Sequence, residues 1–268
     1  MAAGGDEVSA PDALPFRRAG RGETLVLVHG YLGGSAQWAA QIEHLREHGD
    51  VIAVDLAGYG QARDRAAPTD IAAHARAVLA TLDSLGIERF HLLGHSMGGM
   101  VVQEMVSQAP QRVDRLVLYA TGPQGNIPGR FETMARSRER LAEDGVERTA
   151  RRICATWLRD REASPAFEPL AALACQASEQ AARAGLLAME GWDGRDRLAA
   201  VRQPTLVVWG ELDRSYGWPQ VEALWRGIPQ ASLAVLPRCA HALHLESPAL
   251  FHTLLTEFLA APAPPGGP

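Results

Sequence analysis

Apolar residues along this chain fall into two patterns: short unbroken runs, and stripes that recur every three or four positions. Leu25-Val26-Leu27-Val28 and Val51-Ile52-Ala53-Val54 are unbroken, rich in β-branched residues, and end at His29-Gly30 and Asp55. Runs of this kind suit strands covered on both faces, where neither side of the pleat meets water. Residues 89–93, 113–120, 204–210 and 232–236 read the same way. Helical spacing separates them. Trp38, Ile42 and Leu45 share a face of a segment that Ser35 would cap. Ile71, Ala75, Val78, Leu79 and Leu82 stripe a helix opened by Asp70 and stopped by Gly86. Segments 100–109, 219–227 and 248–259 complete the helices. The alternation predicts βαβ crossovers and an α/β fold with a mostly parallel, doubly wound sheet.

The pattern changes after residue 121. Gly122-Pro123-Gln124-Gly125-Asn126-Ile127-Pro128-Gly129 is a run of turn formers, and no strand-like segment follows until about residue 200. Ala, Arg, Glu and Leu dominate there, which predicts a helical insertion of about four short helices, interrupted at Ser164-Pro165. The expected division is a core of 15–121 and 201–260, a helical cap of 122–200, and disordered tails of 1–14 and 261–268.

Composition narrows the function. With 268 residues, 47% of them hydrophobic, the chain can bury one large core. A net charge of -5 and a pI near 6.0 exclude nucleic acid as the main partner, because phosphate neutralisation needs a basic stripe. Cys154, Cys175 and Cys239 are widely spaced and lack a Cys-x-x-Cys pair, as free thiols in a reducing compartment would be. No apolar stretch approaches the roughly 20 residues of a membrane span, and the acidic start broken by Pro11 lacks the features of a signal peptide. The expectation is a cytoplasmic protein acting on a small-molecule substrate, with no membrane partner; oligomeric state is not legible.

The candidate chemistry centres on Gly94-His95-Ser96-Met97-Gly98, placed between a predicted strand and a predicted helix. Glycines two residues either side of a serine allow a sharp turn that exposes its hydroxyl and sets the next amide at a helix N-terminus. Alone the motif is weak. A serine hydroxyl needs a histidine to take its proton and a carboxylate to orient that histidine. Asp213, in Gly210-Glu211-Leu212-Asp213, and His241, in Cys239-Ala240-His241, follow the last two predicted strands in the order such an architecture requires. Glu211 and His244 are the rivals to each. A second oxyanion donor would come from the loop after His29-Gly30, through the main chain of Tyr31 or, failing that, Leu32, alongside Met97.

With these residues the chain resembles the α/β-hydrolase superfamily, of the cap-bearing type that includes small esterases, lactonases, C–C bond hydrolases and cofactor-free haloperoxidases. The resemblance rests on His29-Gly30, Asp55-Leu56-Ala57-Gly58-Tyr59-Gly60, Gly94-His95-Ser96-Met97-Gly98-Gly99, Gly210-Glu211-Leu212-Asp213, and Ala240-His241 with Glu246 and Pro248 after it. It spans about residues 16–260 except the insertion, and it implies the α/β-hydrolase fold, a Ser96-Asp213-His241 triad, and hydrolysis of an ester or lactone without cofactor. Asp213 is preferred to Glu211 on the family's placement. Ala57-Gly58-Tyr59-Gly60 departs from the family's frequent Pro-Gly-His-Gly, in a loop without a catalytic role. Ring-fission C–C hydrolases tend to carry Ser-Gly-x-Gly after His-Gly, where this chain has Tyr31-Leu32-Gly33-Gly34, so that activity ranks second; a slow-turnover ligand receptor on the same fold is the third reading. Serine at position 96 excludes the aspartate-nucleophile branch. Leu32, Trp157, Trp192 and Tyr216 are candidate pocket residues. His29 and His95 are expected to hydrogen-bond in the core, Cys239 to be structural, and His241-x-x-His244 to hold no metal, for want of a third ligand at zinc spacing.

Overall fold

The computed structural model describes residues 13–127 and 132–262. Among these, the seven strands β1 (Phe16–Ala19), β2 (Thr24–Val28), β3 (Asp50–Val54), β4 (Phe90–His95), β5 (Val113–Tyr119), β6 (Thr205–Gly210) and β7 (Ala231–Leu236) form one sheet in the order β1-β3-β2-β4-β5-β6-β7. Only β1 runs antiparallel. The unbroken apolar runs split by parity, because successive side chains in a strand point to opposite faces. Val26, Val28, Ile52, Val54, Leu92, Leu116 and Leu118 pack into one cluster with helices α2 (Ile71–Ser84), α3 (Met97–Gln108) and α7 (Trp218–Gly227). Leu25, Leu27, Val51, Ala53, Leu93, Val117 and Tyr119 face the other way, onto α1 (Ala39–Leu45) and α9 (Pro248–Ala260). The fold is therefore α/β and doubly wound.

Between β5 and β6 the chain forms α4 (Met134–Trp157), α5 (Phe167–Ala174) and α6 (Glu179–Glu190), with short 3₁₀ turns before α5 and after α6. Gly145, at φ +74° and ψ 174°, breaks α4 into two halves, so the insertion holds four helical pieces. Ser164-Pro165 lies in the turn before α5, whereas Pro128 and Gly129 fall outside the described residues. The two ends of the insertion meet. Gln124 pairs with Asp193, Gly125 N–H donates to the Trp192 carbonyl at 3.0 Å, and Gly194 N–H donates to the Pro123 carbonyl at 2.8 Å. The Trp192 indole then donates to buried Glu104 on α3 at 2.8 Å.

Three local expectations are corrected. Ser35 does not cap through its side chain: it opens a 3₁₀ turn, and Asp55 accepts both its N–H at 2.6 Å and its hydroxyl at 2.9 Å, so the cap comes from the end of β3. Residues 13 and 14, assigned to a loose tail, are buried, with Leu14 N–H bonded to Thr81 Oγ1 at 2.9 Å. Residues 261 and 262 are described as well, and the Arg115 guanidinium bonds the Ala261 carbonyl; the rest of both tails lies outside the described residues. Strand β1 was not anticipated, because Phe16-Arg17-Arg18-Ala19 is a half-exposed edge whose pairing with β3 leaves no apolar run to read.

Candidate active site

Ser96 sits between β4 and α3 with φ 55° and ψ -117°, a conformation costly for a residue with a Cβ. Its neighbours make the turn possible. A Cβ on Gly94 would come 2.3 Å from the Gly98 carbonyl, and one on Gly98 would come 2.3 Å from the Val28 carbonyl, so α3 can begin this close to β2 only without side chains there. Ser96 N–H donates to the Tyr119 carbonyl at 3.0 Å, and its own carbonyl accepts from Thr121 Oγ1 at 2.7 Å and Gly99 N–H at 2.9 Å. These bonds hold the strained turn in place.

The loop after β2 lies against it. A Cβ on Gly30 would be 3.0 Å from the Ser96 Cβ. His29 accepts Leu56 N–H on Nε2 at 3.0 Å, so its Nδ1 carries the proton and donates it to the Gly30 carbonyl at 2.8 Å; Gly33 N–H donates to the same oxygen at 3.0 Å. A trans peptide points its C=O and N–H in opposite directions, so the Tyr31 N–H lies on the other side from these bonds. The Tyr31 hydroxyl reaches out to bond the Ala182 carbonyl of α6 at 2.9 Å.

Asp213 follows β6 and His241 follows β7, and the two meet: His241 Nδ1 is 3.0 Å from Asp213 Oδ2, with both side chains fully buried. Asp213 Oδ1 accepts Ser215 N–H at 2.7 Å and Tyr216 N–H at 3.3 Å. A carboxylate already accepting two donors takes a third from Nδ1, which leaves the His241 Nε2 lone pair free to accept a proton. Nε2 makes no hydrogen bond among the described residues, to Ser96 or to any other group. The ring is nevertheless close to the nucleophile turn, 4.6 Å from the ring of His95, the residue before Ser96. Tyr119 donates to the His241 carbonyl at 3.0 Å and His95 Nε2 to the same atom at 3.2 Å.

The rivals have other tasks. Glu211 accepts Arg238 N–H at 3.0 Å at the surface. His244 bonds the Tyr119 hydroxyl through Nδ1 at 2.8 Å and its ring lies tilted 4.9 Å from that of Trp38; burial, with help from His241, pushes its pKa down to about 3. Burial likewise holds His95 well below the ordinary imidazole value and lowers His29, so both stay neutral hydrogen-bonding groups. Desolvation raises the thiol pKa of Cys239, the opposite of what a nucleophile needs. Among the described residues no three metal-ligating side chains gather, and no helix is long and apolar enough to cross a membrane.

A cavity opens beside Ser96, bounded by Tyr31, Gly125, Ile127, Met134, Ile153, Trp157, Met189, Ser215 and Tyr216. Trp157 and Tyr216 also flank His241, with ring centroids 5.6 and 5.9 Å away. Two expectations differ here. Leu32 lies outside the lining: at φ 57° its side chain turns into the core, 1% exposed. Trp192 anchors the insertion to Glu104 instead. Ile127, Met134, Ile153 and Met189 line the cavity without a signal in the sequence, because in an amphipathic insertion a pocket-facing apolar residue carries the same pattern as a core residue.

A family model described as the alpha/beta hydrolase fold matches residues 23–248. This chain belongs to that family. The sheet order and turn described above are those of an α/β hydrolase, and its relatives include several named as hydrolases. RutD of Agrobacterium fabrum, a provisionally assigned carbamate hydrolase, is 29% identical over 243 residues, covering 88% of this chain and 92% of its own. A 2-hydroxy-6-oxo-6-phenylhexa-2,4-dienoate hydrolase of Comamonas testosteroni is 29% identical over 274 residues, covering 92% and 91%. Among solved structures, a thermophilic esterase from Thermogutta terrifontis superposes with a TM-score of 0.84 at 28% identity, covering 92% of each chain.

Proposed function

We propose that this α/β hydrolase is a serine hydrolase of small carboxylic esters or lactones, acting through an acyl-enzyme. Ser96 Oγ attacks the carbonyl carbon while His241 Nε2 takes its proton, and Asp213 stabilises the imidazolium through Nδ1. The Met97 and Tyr31 N–H groups receive the oxyanion of the tetrahedral intermediate. Collapse expels the alcohol, which leaves with the proton from His241. Water, deprotonated by the same nitrogen, then attacks the acyl-serine and frees the acid.

The observation that carries this reading is an imidazole fixed by Asp213 with its far nitrogen buried and unpaired, beside a serine strained into a left-handed turn on the wall of one cavity. A buried polar atom without a partner costs stability unless it has another use, and a proton acceptor at an active site is such a use. The Thermogutta esterase supports the ester reading. The Comamonas dienoate hydrolase supports C–C bond cleavage as a second reading, ranked lower because this chain has Tyr31-Leu32 where the resemblance leads one to expect Ser-Gly in a ring-fission hydrolase.

Purified protein assayed on a panel of short p-nitrophenyl esters, lactones and dienoates, with Ser96→Ala as the blank, tests both. Wild-type turnover of an ester or lactone with loss of about 10³-fold or more in Ser96→Ala is the expected result. Wild-type rates in the alanine variant would sink the serine mechanism, and preference for dienoates would move the activity to C–C hydrolysis.

A further inference from the structure

The loops that carry Asp213 and His241 grip the same short stretch of the insertion, the end of α4. Leu158 leaves that helix extended, at φ -113° and ψ 142°, so the last helical carbonyls and the following N–H need partners from elsewhere. Arg214, next to Asp213, donates through Nη1 to the Leu158 carbonyl at 3.0 Å and reaches the Thr156 and Arg159 carbonyls at 3.5 and 3.4 Å. On the histidine side, Glu246 at the end of α8 (Leu243–Glu246) accepts Arg159 N–H on Oε1 at 2.7 Å and Ala240 N–H on Oε2 at 2.6 Å. Ala242 N–H donates to the Trp157 carbonyl at 2.9 Å. His241 is thus flanked by two residues, one tied to α4 directly and the other through Glu246, while the Trp157 ring lies against its imidazole.

We infer that Glu246 and Arg214 are positioning residues that make the seat of the His241 imidazole depend on the position of the α4 end. This rests on the serine-hydrolase reading above. Each carboxylate oxygen of Glu246 serves a different segment, one in the insertion and one in the histidine loop, through short charge-assisted bonds. A displacement of α4 that widens the cavity pulls on both neighbours of His241, and its return seats the ring again. Substrate entry and assembly of the proton acceptor become one motion.

Glu246→Gln tests this with a side chain of the same size, since it replaces one accepting oxygen by an NH₂ group that can only donate. Arg214→Ala tests the other grip at an exposed side chain. For each, kcat is expected to fall about tenfold, because small misplacements of a catalytic group cost rate steeply, while KM stays within about twofold. A fluorophosphonate probe should label the same number of serines as in wild type, but more slowly, in step with kcat. Unchanged kcat per labelled site in both variants would overturn the inference, as would a loss that only follows the folded fraction seen by circular dichroism. If Glu246→Gln does not fold, Arg214→Ala decides alone. Ser96→Ala run alongside separates the two claims: its retaining wild-type turnover overturns the serine reading, whereas an inactive Ser96→Ala with both variants at wild-type rates overturns only the positioning roles.

Discussion

At the scale of single residues, the site depends on which histidines stay neutral. His74 is held down to about 4 and His244 to about 3, in each case by burial first and neighbouring histidines second. Both folded values lie below the ordinary 6.5, so the unfolded chain binds more protons than the folded one between those limits. Their contribution to stability is therefore complete above about 6.5 and is lost as pH falls towards the folded values. Thermal unfolding should show a midpoint that is level near pH 7–8 and drops between about pH 6.5 and 4.5, a window in which ordinary carboxylates are still largely ionised. A midpoint that holds steady or rises across that window would contradict the assignment. Ser96, Asp213 and His241 were legible as candidates because the proposed chemistry demands those residue types in a fixed order. A core hydrogen bond was expected of His95, but its partner, the His241 carbonyl, was not legible, nor was the bond to the same oxygen from Tyr119, which read simply as a strand residue.

Elements converge because strands and helices can approach without side chains at one place. The β4–α3 turn brings Gly98 against the Val28 and His29 carbonyls, where a Cβ would sit 2.3 and 2.5 Å away, and backbone cannot give way as a flexible side chain would. Gly98→Ala should destabilise the protein by about 3 kcal/mol or more, read as a lower denaturant midpoint. An unchanged midpoint would mean that α3 shifts freely, which its packing in the core argues against. The long apolar strands and the α2 stripe were readable because burial on one or both faces leaves a periodic record. Short β1 and the Asp55 cap left none: one is a polar edge, and the other joins residues 20 positions apart.

For the whole molecule, the decisive feature is how little room the inserted helices leave. The cavity beside Ser96 has a volume of ≈ 30 Å³, room for about one or two waters. Short acyl groups should therefore fit with small adjustments, and long ones should require α4 to move. Across p-nitrophenyl esters from acetate to decanoate, kcat/KM is expected to peak at two to four carbons and to fall by about tenfold or more for the longest chain, each unaccommodated methylene forfeiting roughly 0.8 kcal/mol of burial. A rate that climbs with chain length would show that the insertion yields readily.

The sequence alone determined the alternation of strands and helices, the place of the insertion, and a short set of candidate residues with matching chemistry. Those properties are written in local periodicity, in glycines that a turn requires, and in the proton inventory of a reaction. Tertiary structure alone decided which imidazole meets Asp213, which apolar residues of the insertion line the cavity, and that one carboxylate at Glu246 joins the insertion to the histidine loop. These are distances between segments far apart in the chain, and no local pattern encodes them. They exist only once burial has brought the segments together.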